Sequence, residues 1–85
     1  DDAGGREGWE ERKQREREER KKARQLEKVM ETIESLEAQL AALDAKLASP
    51  EIGSDWDAMQ ELLNEREPIE RRRDRALAEW ERLEG

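Results

Sequence analysis

The sequence contains no cysteine and no histidine, and it has no phenylalanine or tyrosine. Without cysteine there can be no disulfide framework, no thiol chemistry and no cysteine-ligated metal ion. No apolar stretch is long enough to span a membrane, and no signal peptide opens the chain. We therefore expect a cytoplasmic protein. Because the first residue is Asp rather than Met, we also expect the sequence to be a fragment of something longer.

Charged residues make up 48% of the 85 residues and apolar residues only 33%, which excludes a thick globular core. This composition, rich in Ala, Glu, Lys, Leu and Arg, is typical of a coiled coil or a long helix. A disordered, highly charged chain is the alternative, but a regular apolar spacing argues against it. Seven apolar residues, here called the first ladder, follow one another at alternating steps of three and four: Leu26, Val29, Ile33, Leu36, Leu40, Leu43 and Leu47.

A lone helix gains nothing from such a stripe, so the first ladder predicts a second helix packed against it. A weaker ladder with similar steps lies later in the chain, and residues 49–54, with Pro50 and Gly53, separate the two. We therefore predict an all-α fold, an antiparallel two-helix coiled-coil hairpin with a charged N-terminal helical extension. The second ladder consists of Met59, Leu62, Arg66, Ile69, Arg73, Ala76, Trp80 and Leu83.

The chain divides into three predicted parts. Residues 1–8 hold three glycines and are expected to form a flexible tail, residues 9–25 a charged helical lead-in, and residues 26–84 the hairpin. We expect a monomer, although two chains pairing as extended helices would use the same ladders. A fold centred near Glu51 would place Leu43 opposite Met59, Leu36 opposite Arg66 and Ile33 opposite Ile69. A register shifted by one heptad would also pair apolar residues, but it would need a longer loop.

One proline and three tryptophans need separate interpretation. Pro68 lies inside the second helix, where we expect a kink rather than a break. Trp80 occupies a ladder position and is expected to cover the open end of the hairpin, with base stacking as an alternative. Trp56 is expected to cap the ladder against Leu47. Trp9 stands among charged residues, and it is either idle or a contact to another domain.

Charge is unevenly distributed along the chain. Residues 1–30 carry a net +1, residues 31–63 carry −7, and residues 64–85 carry −1. A hairpin would thus have an acidic tip, and its two basic stretches would meet at the open end. The basic residues can be interpreted as a solvated helix face paired with nearby Glu, or as a phosphate-binding end of the hairpin. The candidate phosphate-binding residues are Lys21, Lys22, Arg24, Lys28, Arg71, Arg72, Arg73 and Arg75.

Several motifs together resemble a known module. They are Arg24-Gln25-Leu26-Glu27, the Leu36-Glu37-Ala38 helix, the Ser49-Pro50-Glu51 loop and the terminal Trp80-Glu81-Arg82-Leu83-Glu84. At this spacing they resemble the C-terminal coiled-coil domain of ABC-F ATPases, particularly the Uup subgroup, over about residues 20–84. The resemblance implies a nucleic-acid-binding appendage of a cytoplasmic, translation- or DNA-associated ATPase, whose nucleotide-binding domains would be its other partner.

Catalysis by this chain itself is not expected. No Gly-x-x-x-x-Gly-Lys-Ser/Thr loop is present, so we predict no nucleotide site and no cofactor. Asp55 and Asp57 are interpreted as helix-start residues rather than a catalytic or metal-binding pair. The ligand could be DNA, ribosomal RNA or tRNA, since each offers phosphates. A structural or protein-docking arm that positions the parent ATPase, for example on the ribosome, is the alternative function.

Overall fold

Two long helices, packed side by side and running in opposite directions, form most of the molecule. The computed structural model describes the backbone of residues 2–85 and the side chains of residues 8–85. It consists of α1 (Asp2–Leu47), the short α2 (Pro50–Gly53) and α3 (Trp56–Glu84), with no strand in the described range. The rod is 14 Å wide in both cross-sectional directions. The predicted all-α hairpin is therefore confirmed.

Helix α1 is uninterrupted through the predicted lead-in and the whole first ladder, because this stretch holds no proline and few β-branched residues. It ends at Leu47, where Ser49 adopts an extended conformation (φ −65°, ψ 134°), as expected for a residue that precedes proline. The predicted flexible tail, residues 1–8, lies almost wholly outside the residues whose side chains are described. It stays a prediction.

The tip of the hairpin, residues 48–55, contains a single helical turn. The Ser49 carbonyl accepts hydrogen bonds from the amides of Ile52 and Gly53, which closes α2. Gly53 has no positive φ, so the connection does not depend on the conformational freedom of glycine. Asp55 then caps α3, because its carboxylate accepts a hydrogen bond from the Ala58 amide at 3.1 Å.

The core is a thin seam made of the two ladders. Every residue of both ladders is buried or half-buried, and four of the buried ones come from the first ladder. Leu40 is the least exposed residue of the core, at 4%. The buried residues are Ile33, Leu36, Leu40, Leu43, Ile69 and Ala76. Half-buried Leu62 packs against the cluster formed by Leu36, Leu40, Leu43 and Ile69.

The predicted register of the two helices is wrong by about one heptad. The Arg66 guanidinium bonds the Asp44 carboxylate, with Nε to Oδ1 at 2.7 Å. In the predicted register Arg66 lies opposite Leu36. That position is eight residues, or about 12 Å along the helix axis, from Asp44, which is too far for this bond. The helical turn α2 takes up the additional chain length that the observed register requires.

Two other expectations concern single residues. Helix α3 continues through Pro68, so the predicted absence of a break is confirmed. Trp56 does not cap the ladder against Leu47, because its side chain is 70% exposed at the start of α3. Within the described part of the chain, none of the helices carries an apolar stretch of the kind that crosses a bilayer.

Candidate nucleic-acid interface

Helix α1 extends well beyond the end of α3. The contact between Arg66 and Asp44 marks one level of the hairpin. From this level, α3 continues for 18 residues to Glu84, and the same distance along α1 leads back to Leu26. The last residue of α3 is therefore level with about Leu26. Residues 8–25 of α1 project past that point as a single helix, over about 27 Å at 1.5 Å per residue.

Helix α1 carries a continuous row of cations on one face, which runs from the projecting part into the start of the hairpin. At 100° per residue, these side chains fall within a sector of about 100°. The sector lies about half a turn from Leu26 and Val29, so it points away from the helix packing seam. No Asp or Glu between residues 13 and 28 falls inside the sector. The row, here called the basic stripe, consists of Lys13, Arg17, Arg20, Lys21, Arg24 and Lys28.

Most of the basic stripe is available for a ligand. Lys13 and Arg20 approach the same carboxylate, that of Glu16, at 3.9 Å and 3.4 Å. Such exposed pairs contribute little to stability and exchange readily with other anions. Among residues 8–85, the other four cations of the stripe form no salt bridge; these are Arg17, Lys21, Arg24 and Lys28, and all four are exposed.

Sequence reasoning named only part of this surface. It identified Lys21, Arg24 and Lys28, and it also named Lys22, which lies on the opposite face of α1, in line with the ladder. Lys13, Arg17 and Arg20 were not in the candidate set, because basic residues were grouped by position along the chain rather than by helix face. The spacing of the stripe, in steps of three and four residues, is the signal that identifies it.

The four candidate residues on α3, here called the arginine patch, lie elsewhere. In the observed register they face about residues 35–39 of α1, in the middle of the hairpin, rather than residues 27–31. Arg24 is then about 16–22 Å further along the axis. The two basic clusters therefore do not merge at the open end, contrary to the prediction. The arginine patch consists of Arg71, Arg72, Arg73 and Arg75.

Carboxylates of α3 neutralise part of the arginine patch. Arg71 bonds Glu67 at 2.6 Å, and Arg73 lies 2.9 Å from Asp74 and 3.9 Å from Glu70. The Arg73 side chain is 26% exposed, because its stem occupies a ladder position. Arg72 and Arg75 are exposed and form no salt bridge within the described residues. The arginine patch is thus a weaker positive surface than the basic stripe.

Arg66, the other arginine of the second ladder, is held by ion pairs with two carboxylates of the hairpin. Two of its nitrogens reach the two oxygens of Asp44, at 2.7 and 3.3 Å, and a third bonds Glu70 at 2.9 Å. The hydrogen bond from Arg66 lowers the pKa of Asp44 below its ordinary value, and the same bond raises the pKa of Arg66. This bidentate pair joins the two helices and leaves Arg66 unsuited to phosphate binding.

A comparison with protein families identifies the hairpin. The family described as ABC transporter C-terminal domain matches residues 17–85, which is most of the chain. The chain belongs to this family. Searches of curated proteins and of solved structures each gave no match. The predicted resemblance is therefore confirmed at the level of a C-terminal domain of ABC proteins.

The ABC transporter C-terminal domain is a non-catalytic domain. The matched residues include both helices of the hairpin and the stripe from Arg17 to Lys28. Trp9 and Lys13, at the outer end of α1, precede the matched region. Their arrangement is therefore a feature of this chain that membership of the family does not account for.

Proposed function

We propose that this chain is a nucleic-acid-binding C-terminal module of a cytoplasmic ABC-F ATPase of the Uup type. In this proposal the hairpin is a monomeric antiparallel coiled coil, and the basic stripe contacts the phosphates of DNA or RNA. The observation that carries the proposal is the stripe itself. Six cations share one face of a helix, no acidic residue interrupts them, and five of the six precede the level at which α3 ends.

The geometry of the stripe suits a phosphate backbone better than a base sequence. Its cations follow one another along the axis at intervals of up to about 6 Å, on a straight support. Lys and Arg at such spacing contact phosphates and release counterions, which gives binding that weakens steeply with salt. The stripe presents no pattern of amide or carboxylate side chains with which to recognise base edges. We therefore expect non-specific binding.

The net charge of −7 does not oppose this function, because the excess of negative over positive charge lies elsewhere in the chain. Residues 31–63, which form the tip and its flanks, carry the whole of that net charge. The centre of this acidic segment lies about 35 Å along the axis from Arg24, several times the Debye length at physiological salt. Repulsion from the tip is thus screened at the stripe.

Charge reversal tests the proposal. We expect the variant Arg17→Glu/Arg24→Glu to lose salt-dependent binding to a labelled duplex, and the variant Arg71→Glu/Arg72→Glu, with the same change in net charge, to retain most of it. For DNA, the logarithm of affinity should fall with the logarithm of salt by about 0.9 for each phosphate contacted. A wild-type chain that shows no salt-dependent binding contradicts the proposal. Equal losses in both variants would contradict the assignment to the stripe.

One observation favours the docking-arm alternative. Trp56 is 70% exposed at the acidic tip, where burial against a partner protein would stabilise the complex. In that case Trp56→Ala would abolish binding to the parent's nucleotide-binding domains or to ribosomes, while Arg17→Glu/Arg24→Glu would leave it intact. Cosedimentation of both variants with ribosomes, and titration against the isolated nucleotide-binding domains, separates the two functions.

A further inference from the structure

Trp9 lies beside the outer end of the basic stripe and is not part of the hairpin core. Its side chain is 54% exposed, and it precedes Lys13 by one helical turn. The Lys13 amine stands 5.8 Å from the centre of the indole ring. Together with Arg12 and Glu16, these two residues line a shallow hollow on the surface of α1. An exposed indole, beside two cations and one carboxylate, therefore sits next to the proposed phosphate contacts.

We propose that Trp9 is a stacking platform for an unpaired base, and that the basic stripe consequently binds single-stranded nucleic acid in preference to duplex. This inference rests on the phosphate-binding function proposed above. In it the indole takes one base of the strand, Arg12 and Lys13 take the adjoining phosphates, and the strand continues along the stripe towards Lys28.

The preference for a single strand follows from what an indole can contact. Bases inside a duplex are already stacked and paired, so their faces are closed to a side chain that approaches from outside. Unpaired bases expose a face, and stacking on an aromatic ring then strengthens binding whatever the base is. Phosphate contacts occur with both forms of the ligand. A difference in affinity between single strand and duplex therefore reports on Trp9.

The other two tryptophans do not have this arrangement. Trp80 is half-buried in the second ladder, so its ring faces are partly covered by the hairpin. Trp56 is more exposed than Trp9, but it stands between Asp55 and Asp57 in the acidic segment, which repels phosphates. Trp56 thus offers a matched control: the same residue type, exposed on a helix of the same molecule, but flanked by acidic residues and away from the basic stripe.

A purely local role for Trp9 makes a different prediction. Residues four apart on a helix support it weakly, and the contact between Trp9 and Lys13 could serve that purpose alone. Removing the indole would then reduce the helicity of the projecting part of α1 and weaken binding of single strand and duplex by the same factor. The ratio of the two affinities, rather than either affinity, distinguishes stacking from helix support.

The test uses the 85-residue chain and two probes, a labelled oligothymidylate of about 12 nucleotides and a duplex of equal length. Fluorescence anisotropy gives the affinity of the wild type, Trp9→Ala, Trp9→Phe and Trp56→Ala for each probe. Circular dichroism of each variant measures its helicity. Quenching of tryptophan emission by unlabelled oligothymidylate gives an independent signal, compared between Trp9→Phe and Trp56→Phe.

We expect Trp9→Ala to weaken oligothymidylate binding roughly 5- to 100-fold and duplex binding less than twofold, with Trp9→Phe intermediate and Trp56→Ala unchanged. Quenching should persist in Trp56→Phe and fall sharply in Trp9→Phe. Equal weakening of both probes, or no effect of Trp9→Ala, overturns the inference and leaves the phosphate-binding function standing. If the wild type binds neither probe in a salt-dependent manner, both proposals fail.

Discussion

Leu40→Ala tests the seam that holds the hairpin together. Leu40 lies in the middle of the first ladder, it is 4% exposed, and it belongs to the buried cluster with Leu36, Leu43 and Ile69. Leu63, on α3, is 42% exposed and provides a matched control for the same substitution. If the thin seam supplies the folding free energy, the two substitutions must differ greatly in cost.

The expected magnitude follows from the burial of Leu40. Removing a fully buried leucine side chain costs about 2–5 kcal/mol, and the cost is smallest where the surroundings can close around the gap. Two helices joined at one end can approach each other, so we expect about 2–3 kcal/mol for Leu40→Ala. Leu63→Ala should cost less than about 1 kcal/mol, because an exposed site loses little burial and Ala favours the helix.

Thermal and urea unfolding followed by circular dichroism measures both effects. For a domain of this size a loss of 1 kcal/mol lowers the melting temperature by about 4–8 °C. Leu40→Ala should therefore melt about 8–24 °C below the wild type, and Leu63→Ala within a few degrees of it. Similar melting temperatures for the two variants would refute the conclusion that the ladders form the core.

Three further predictions follow from single features. Because the pKa of Asp44 is lowered, its bond to Arg66 stabilises the fold fully above the ordinary pKa of 3.8, and this contribution is lost as the pH falls through the lower pKa of the folded state. Between pH 5 and pH 2, Asp44→Asn should therefore lose less stability than the wild type. An identical acid dependence of the two proteins would contradict this. Pro68→Ala should raise the melting temperature, since it restores a hydrogen bond to the Asn64 carbonyl inside an otherwise continuous helix, whereas a lower value would mean that the proline is required there. Light scattering should give a mass of 10.0 kDa for a monomeric hairpin, and twice that mass would indicate pairing of two chains.

The elements of the fold were predictable because their signals are local. Steps of three and four residues between Leu26 and Leu47 specify one buried helix face whatever packs against it, and the structure buries that face. Pro50 ends α1 through a steric effect on its immediate neighbour, Ser49. Neither conclusion needed knowledge of a distant contact.

The register was not predictable from the ladders, because a shift by one heptad pairs apolar positions almost as well. What distinguishes the two arrangements is the bond between Arg66 and Asp44, and the helical turn of α2 that lengthens the tip. Asp44 lies one residue after Leu43, outside the ladder, so the spacing of the apolar residues carries no information about its bond. The wrong register also produced the wrong prediction that two basic clusters meet.

The candidate interface was predicted in part. Lys21, Arg24 and Lys28 were identified from local charge, and the face they share follows from the helical period alone. That this face is uncovered, however, depends on where α3 ends relative to α1, and so on the register. The role proposed for Trp9 likewise required its exposure and its contact with Lys13.

The central claim is that the phosphate-binding surface lies on the basic stripe of α1. Its most direct test is to measure the amide chemical shifts of the chain as a DNA or RNA oligonucleotide is added. Titration of the isotope-labelled chain should move the signals of residues 9–28, with the largest changes near Trp9, Arg17 and Arg24. Changes confined to the tip around Trp56, or to the arginine patch on α3, would contradict the account.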